Sequence, residues 1–466
     1  MKKVDIKKDK PGGEKRERVI RIFNLSEDVW PFIDSFGDKK QQAWEINENA
    51  NLADKDLFSM SEEFEFTFIT AKPLDPSFVE YYRKLCMVRD LEILVPKKHT
   101  GLLCEDIAND MAIMKRLIRL GKEYKRLNIV AYSTSHQFLG LVEKLRDKGI
   151  NVVTSEAPDK ADAWTVNFYG SKSGIRQLIQ TNRILRADLK MPNGVISSRI
   201  VDSARIAANK YVKEKGVVIK TNKGHAGAGV LIFREGDLPD KFETCEEEII
   251  KTLKKNAYWE KFPVIVESLI KPNYKIGGGF PNVELFIRKD GEVEFLYCCS
   301  MRVDRNGVFA GIELGKNLLP KRITSRITDI GYLIGEQYSK DGYRGYFEVD
   351  YIAEKGGEVY ISESNVRVTG GTHVYEAGKE LVGRNFTKDS FALSNNMYVL
   401  PKKKKYTFEK MLKMMDRILF SRKTKEGMVI CSANSLRDGY LSYIIFGKNK
   451  RRAGVIEEEM KRLLGK

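Results

Sequence analysis

No apolar run in the 466 residues approaches the ~20 needed to span a bilayer, and the N-terminus lacks the apolar core of a signal peptide. Membrane-embedded roles are set aside, and a cytoplasmic location is expected. The six cysteines (Cys86, Cys104, Cys245, Cys298, Cys299 and Cys431) show no metal-ligand spacing, and adjacent Cys298 and Cys299 cannot easily pair with each other. They read as reduced core residues, which excludes a disulfide scaffold or a zinc site. Internal repeats and low-complexity tracts are missing, which excludes solenoid arrays. No glycine-rich dinucleotide fingerprint follows any expected strand, and the G-K-[ST] ending of a P-loop is absent.

What is present begins with charge. The net charge is +17, with 42% hydrophobic and 31% charged residues, the balance of a water-soluble globular chain long enough for two to four domains. A surface of that sign attracts polyanions, whether nucleotides, acidic peptides or nucleic acid. A generally basic proteome gives the same value, so charge alone selects no partner.

Residues 1–18 are charged and turn-rich and read as a mobile tail. Val19 to Leu25 reads as a strand, and the following forty residues carry no clear rhythm. From Phe64 strands and helices alternate: strands at 64–69, 91–95, 127–132 and 150–154, helices at 78–88, up to Tyr124, and 137–147. That alternation implies βαβ units and a parallel sheet. Further helices are expected at 171–187, 202–215 and 323–338, and a charged one at 456–464. Lys402 to Lys405 marks a linker before a small C-terminal α/β unit.

Between these lie the informative motifs. Gly216 to Lys220 is a strand ending in lysine. It is followed by T-N-K-G-H-A-G-A-G and the strand Val230 to Phe233, so the glycine-rich loop joins two strands. Such glycines either serve the turn alone or let backbone N–H groups approach phosphate oxygens. Lys220 is either an edge charge or a point charge reaching those phosphates. Phe262 to Ile270 is an apolar strand containing Glu267, which either ends the strand at solvent or takes the exocyclic amine of adenine. Asn282 to Ile287 and Val293 to Cys299 read as a hairpin around Asp290-Gly291, with Arg302 in a polar connector beyond it.

The most telling stretch is Gly345 to Gly371. Gly356-Gly357 suits a two-residue hairpin turn in which Lys355 faces Glu358. Counting outward sets Asp350 opposite Glu363 and Glu348 opposite Asn365. Side chains alternate along a strand, so Glu348, Asp350, Glu363, Asn365 and Arg367 share one face. Acids on the polar face of an ordinary hairpin are common, but like charges directly across a ladder repel. Three carboxylates and an amide there are explained by a cation, and oxygen ligands suit Mg²⁺, which keeps positions open for substrate phosphates.

The ordered set of lysine-ended strand, glycine-rich hairpin loop, V-E-S-L-I strand and acidic hairpin ending E-S-N-V-R resembles the ATP-grasp superfamily of carboxylate–amine and carboxylate–thiol ligases. The likeness covers Ser171 to Leu400, and the preceding α/β region resembles the family's pre-grasp domain. It implies an α/β ATP-grasp fold, two lobes gripping the nucleotide, behind a Rossmann-like pre-grasp domain. The domains would be a basic tail (1–18), a pre-grasp domain (19–170), the ATP-grasp domain (171–400) and a small C-terminal unit (401–466).

By the same resemblance Lys172 and Lys220 bind nucleotide phosphates, and His225, Ala226, Gly227, Ala228 and Gly229 form the closing loop. Glu267, Ser268, Leu269 and Ile270 form the adenine linker, and Glu284 holds the ribose. Asp350, Glu363 and Asn365 hold metal, and Arg367, with Arg302, serves the transferred phosphoryl group. His225 and Ala226 depart from the small residues usual in that loop. The implied cofactors are ATP and Mg²⁺, two ions, with Mn²⁺ also suitable. The implied reaction joins a small carboxylate to an amine, an amino acid or peptide, through an acylphosphate with release of ADP. The peptide-ligase branch fits the large N-terminal region. Bicarbonate activation as in biotin-dependent carboxylases is the competing enzymatic reading, opposed by V-T-G-G-T-H after the E-S-N-V-R segment. A non-catalytic nucleotide- or nucleic-acid-binding protein is the competing non-enzymatic one. Neither a membrane nor nucleic acid is the expected partner, and a homo-oligomer is compatible with everything above. His99, His136 and His373 read first as satisfied polar or core residues, and His373, just past the hairpin, has a border of the acceptor site as its alternative reading.

Overall fold

The computed structural model describes residues 17–63, 65–182, 188–224, 229–303, 307–401 and 406–465. Residues 1–16 of the basic tail, residues 183–187 of the helix expected at 171–187, loop residues His225, Ala226, Gly227 and Ala228, and the 402–405 linker lie outside that set.

The first sheet is parallel and holds β1 (Arg18–Ile22), β2 (Glu65–Ile69), β3 (Asp90–Leu94), β4 (Leu127–Ala131) and β5 (Val152–Val153), in the order β3-β2-β1-β4-β5. Its connecting helices form where the sequence supplies caps and an apolar stripe. Asp110 accepts the N–H groups of Ala112 and Ile113 at the head of Met111–Glu123, whose Ile113, Met114, Leu117 and Leu120 are buried. Strand order reverses between β1 and β4, the place where open α/β sheets leave a crevice at their carboxyl ends. The loops leaving these two strands are tied together there. Asn24 Nδ2 donates to Ser133 O (2.9 Å), and the Ser133 N–H donates to Asn24 Oδ1 (3.1 Å).

The second sheet is small and antiparallel: β6 (Gly194–Ser197), β7 (Gly216–Thr221), β8 (Val230–Arg234) and β9 (Val264–Ser268), in the order β6-β9-β7-β8. Gly229 opens β8 at φ +84°, and a Cβ there would meet Thr221 Cγ2 at 2.2 Å, so this end of the loop admits only glycine.

The third sheet has eight strands: β10 (Pro281–Ile287), β11 (Val293–Val303), β12 (Phe309–Gly315), β13 (Gly345–Ala353), β14 (Val359–Asn365), β15 (Phe391–Val399), β16 (Gly427–Ile430) and β17 (Tyr440–Gly447). They run in the order β14-β13-β10-β11-β12-β15-β17-β16. The helix Lys321–Lys340 buries Ile323, Ile327, Ile330, Ile334 and Tyr338 in one cluster with Val283, Leu285, Phe347, Val349 and Tyr351. The intervening residues of β13, Glu348 and Asp350, therefore emerge on the other face.

The described residues of the stretch 401–466, expected as a separate small unit, extend this sheet through β16 and β17 and share one core with residues of the first sheet. Arg302, expected in a connector, lies within β11. All six cysteines are free; Cys298 is half-buried and the rest are buried. No helix among the described residues is long and apolar enough to cross a membrane.

Candidate functional site

The β13–β14 hairpin carries the acidic face. Asp350 pairs with Glu363 and Glu348 with Asn365, the expected partners, but the turn differs. Gly357 alone of the glycine pair takes positive φ (+86°), and its N–H donates to Glu354 O (2.9 Å). The Glu354 N–H in turn donates to Glu358 O (2.8 Å), so Glu354, not Lys355, faces Glu358. The three-residue turn shifts the register by one, and a β-bulge at Ser362 shifts it back between Tyr351–Ile361 and Asp350–Glu363.

That bulge presents Ser362 to the other lobe. Lys220, at the end of β7, donates to Ser362 Oγ (3.3 Å) and Ser362 O (3.4 Å) and pairs with Glu267 at 2.8 Å. Glu267, 3% exposed, also holds Arg176 at 2.6 Å. Both of its oxygens thus serve buried cations, which replaces the expected contact with adenine by a counter-ion role in this structure. Ser268 Oγ accepts from Lys210 Nζ (2.8 Å), and Leu269 packs on Gly216. Ile270 follows in the same connector, beyond the end of β9. Lys172, first residue of the helix Lys172–Thr181, reaches Glu363 at 2.9 Å. Lys172, whose helix packs in the core of the large sheet, and Lys220 from the small sheet therefore both close on β14.

The acids themselves are held unequally. Lys172 draws the Glu363 carboxyl down to about 2, with Lys220 adding to the effect. Asp350 and Glu348 are raised above the ordinary carboxylate range by burial, and for Asp350 by repulsion from Glu348 and Glu363 as well. Their contacts are amides. Asn282 Nδ2 donates to Glu348 (3.0 Å) and to Asp350, and Asn365 Nδ2 donates to Glu348 (3.0 Å) and Asp350 (3.4 Å). Among the described residues no three acidic, histidine or cysteine side chains converge on one point as a metal cage. The donor set nevertheless fits a hard divalent cation: carboxylate and amide oxygens on one face, with two acids that no lysine or arginine among the described residues ion-pairs.

Arg367 closes the site toward the first sheet. Its Nε donates to Asp28 (2.8 Å), its Nη2 to Asn365 Oδ1 (3.2 Å) and its Nη1 to Tyr132 OH (3.4 Å). Asp28 and Tyr132 come from the two loops at the strand-order reversal. Arg367 and Lys223 outweigh the effect of burial and hold the Asp28 carboxyl below its ordinary value. Asp28, Lys172, Lys223, Glu363, Asn365 and Arg367 are among the residues that line a space of about 30 Å³, room for water and not for a nucleotide.

Glu284, opposite Glu348 across the β10–β13 ladder, shares this face but is engaged elsewhere, and Arg302 stands apart from it. Glu284, expected at the ribose, is fully buried. It accepts from Tyr297 OH, from Thr369 Oγ1 (2.9 Å) and from Thr372 Oγ1 (2.5 Å), and burial with the nearby Glu348 pushes it to about 8. It clamps the Thr369–Thr372 turn. Arg302 pairs with Glu457 at 2.8 Å and donates to Ser394 O (3.0 Å), tying β11 to the helix Lys450–Leu464. Asp28, Tyr132, Lys223, Arg176 and Asn282 were not singled out from sequence; only their fold neighbours reveal them.

A parallel pre-grasp sheet followed by a small and a large antiparallel sheet closing on an acidic hairpin is the ATP-grasp fold. Solved structures of that fold align over nearly the whole chain. The biotin carboxylase of Campylobacter jejuni, in complex with β-γ-ATP, superposes with TM-score 0.56 at 14% identity, covering 96% of this chain and 94% of that one. The N5-carboxyaminoimidazole synthase of Aspergillus clavatus, with ADP and 5-aminoimidazole ribonucleotide, gives 0.55 at 8% identity over 97% and 99%. The biotin carboxylase domain of the Hydrogenobacter thermophilus 2-oxoglutarate carboxylase, holding MgADP and bicarbonate, gives 0.52 at 15% over 93% and 86%. Among curated proteins, the L-propargylglycine–L-glutamate ligase of Streptantibioticus cattleyicolor is 24% identical over 349 residues. The match takes in 69% of this chain and 66% of that protein, just under two thirds of the relative's length. No protein-family model matches the chain.

Proposed function

We propose that this chain is an ATP-dependent carboxylate–amine ligase, releasing ADP and forming an amide between two amino-acid-like substrates. The observation that carries the reading is the hairpin face: Asp350 and Glu348, which make no ion pair among the described residues, beside Glu363 and Asn365, with Lys172 and Lys220 closing on β14. The sequence relative that ligates two amino acids supports the substrate class.

In this reading Lys172 and Lys220 exchange Glu363, Ser362 and part of Glu267 for nucleotide phosphate oxygens. Asp350, Glu363 and Asn365 hold Mg²⁺, which supplies charge neutralisation on the phosphoryl oxygens when bound. Arg367, already anchored on Asp28 and Tyr132, points its guanidinium at the substrate carboxylate and the oxygens that gain charge as it attacks phosphorus. The resulting acylphosphate is open to hydrolysis, so the loop ending at Gly229 excludes water while the amine displaces phosphate. Ser268 to Ile270 border the base. Free thiols and the need for ATP suit the cytoplasm.

The test is ADP formation by the purified chain with MgATP and paired amino acids. Release that needs both a carboxylate and an amine is expected. Equal release with bicarbonate alone would favour the carboxylase reading, and none with any pair would overturn the ligase.

A further inference from the structure

Five charged side chains line the small space between the hairpin and the first sheet: Lys172, Lys223, Arg367, Asp28 and Glu363. Four of them are matched in pairs. Lys172 meets Glu363 at 2.9 Å, and Arg367 meets Asp28 at 2.8 Å. The other oxygen of Asp28 accepts from Ser133 Oγ (2.8 Å). Lys223 is the cation left over. Among the described residues it forms no ion pair, and its Nζ donates only to Asn167 Oδ1 at 3.4 Å, long for a hydrogen bond.

The backbone that carries Lys223 is fixed at this spot. The Asn222 N–H donates to Pro263 O (3.0 Å), Asn222 O accepts from the Lys172 N–H (3.2 Å), and Asn222 Oδ1 accepts from the Ser173 N–H (2.8 Å). The start of the glycine-rich loop is thereby tied to the head of the helix Lys172–Thr181. Lys220, three residues earlier, is engaged by Glu267 and Ser362 and does not line this space. The space measures about 30 Å³, and at the ~10–15 Å³ that one water needs it takes about two oxygens. Two oxygens are what a carboxylate presents, whereas a triphosphate does not fit. Val29, Val166 and Val366 add apolar wall, which strengthens a charge pairing beside them. A half-buried lysine is normally matched by a counter-charge, and here the matching charge has to come from a ligand.

We propose that Lys223 is a substrate-binding residue: together with Arg367 it seats the carboxylate that the reaction activates. The inference rests on the ligase reading and deepens it by dividing the work of two lysines three residues apart. Lys220 serves the nucleotide, and Lys223 serves the carboxyl donor. The ammonium is a compact charge with three N–H donors on a flexible stem, so it pairs with a carboxylate without needing the fixed fork of an arginine.

The test uses the full chain with MgATP. Pairs of the twenty common amino acids are screened for ADP release, and mass spectrometry of the product shows which member gives its carboxyl group. In Lys223→Met the KM for that donor should rise about tenfold or more, the scale of one charge-assisted contact, while the KM values for ATP and for the amine member stay at the wild-type level. Lys223→Arg should restore most of the donor KM. The melting temperature of Lys223→Met without substrates should match or exceed that of the wild type, because no ion pair is lost. A donor KM unchanged in Lys223→Met overturns the proposal, with or without a fall in melting temperature. So does a KM for ATP that rises as much as that for the donor, which would make Lys223 another nucleotide lysine. No ADP release by the wild type with any pair sinks the ligase reading itself, and this one with it.

Discussion

Asp350 and Glu363 face each other across one rung of the same hairpin, and the protein treats them oppositely. Glu363, on the edge strand, meets Lys172 and is ionised far below neutrality, at about 2. Asp350, on the inner strand, is 5% exposed, flanked by Glu348 and met only by amide N–H groups. Lys172 ion-pairs the edge acid, whereas among the described residues the inner pair makes no ion pair and feels only the Arg367 charge from beyond Asn365. A buried acidic pair with no ion-paired cation is costly in a scaffold and useful where a divalent cation arrives with a substrate.

Removing the inner acid gives the largest contrast. Asp350→Asn should cut ADP formation by on the order of 10² to 10³, as loss of a pre-positioned electrostatic element commonly does. The same change relieves repulsion from Glu348 and Glu363, so the melting temperature without metal should stay level or rise. A fall in both would mean that Asp350 is structural. Lys220→Met is the matching change on the other lobe. It should weaken ATP binding about tenfold or more by nucleotide titration, the scale of one charge-assisted contact. Affinity equal to wild type would remove Lys220 from the phosphate site.

Smaller effects separate the site from its supports. Arg302→Met should lose about 1–3 kcal/mol in denaturant unfolding through its half-buried pair with Glu457, with kcat of the folded enzyme little changed. A large fall in kcat at full stability would return Arg302 to the phosphoryl group. The least effect concerns pH. His373 is held neutral at about 3, below its unfolded value near 6.5. The unfolded state binds the extra proton, so this group costs stability as pH falls from about 6.5, by at most ~1.4 kcal/mol per unit. His373→Asn should therefore narrow the drop in melting temperature between pH 7 and pH 5.

The facing of Asp350 with Glu363 was legible in the sequence, though through two departures that cancel. A three-residue turn replaces the two-residue one, and the bulge at Ser362 restores the count. Alternation alone cannot show a bulge, because serine suits either face of a strand. Glu267 and Glu284 were visible as acids in apolar strands, but their partners Arg176 and Thr369 lie 91 and 85 residues away, and such pairing leaves no local pattern. Residues 26–63 carried no rhythm because they fold mostly as helices of four or five residues, too short to show a period. Lys39–Asn51 buries only Asn49 and Ala50, so no apolar stripe announces it, and Asp28 stayed hidden in this region. Tyr440–Gly447 read as part of a separate unit because a strand's sequence does not name its sheet. Only its pairing with β15 joins it to the larger one.

The central claim, that the inner acids are there for a metal-bound nucleotide, is met most directly by a thermal-shift titration of wild type and Asp350→Asn with ATP, in Mg²⁺ and in EDTA. A rise in melting temperature for the wild type that requires Mg²⁺, and that largely disappears in Asp350→Asn, is the predicted result. The same ATP-dependent rise in EDTA, or in the variant, would contradict it.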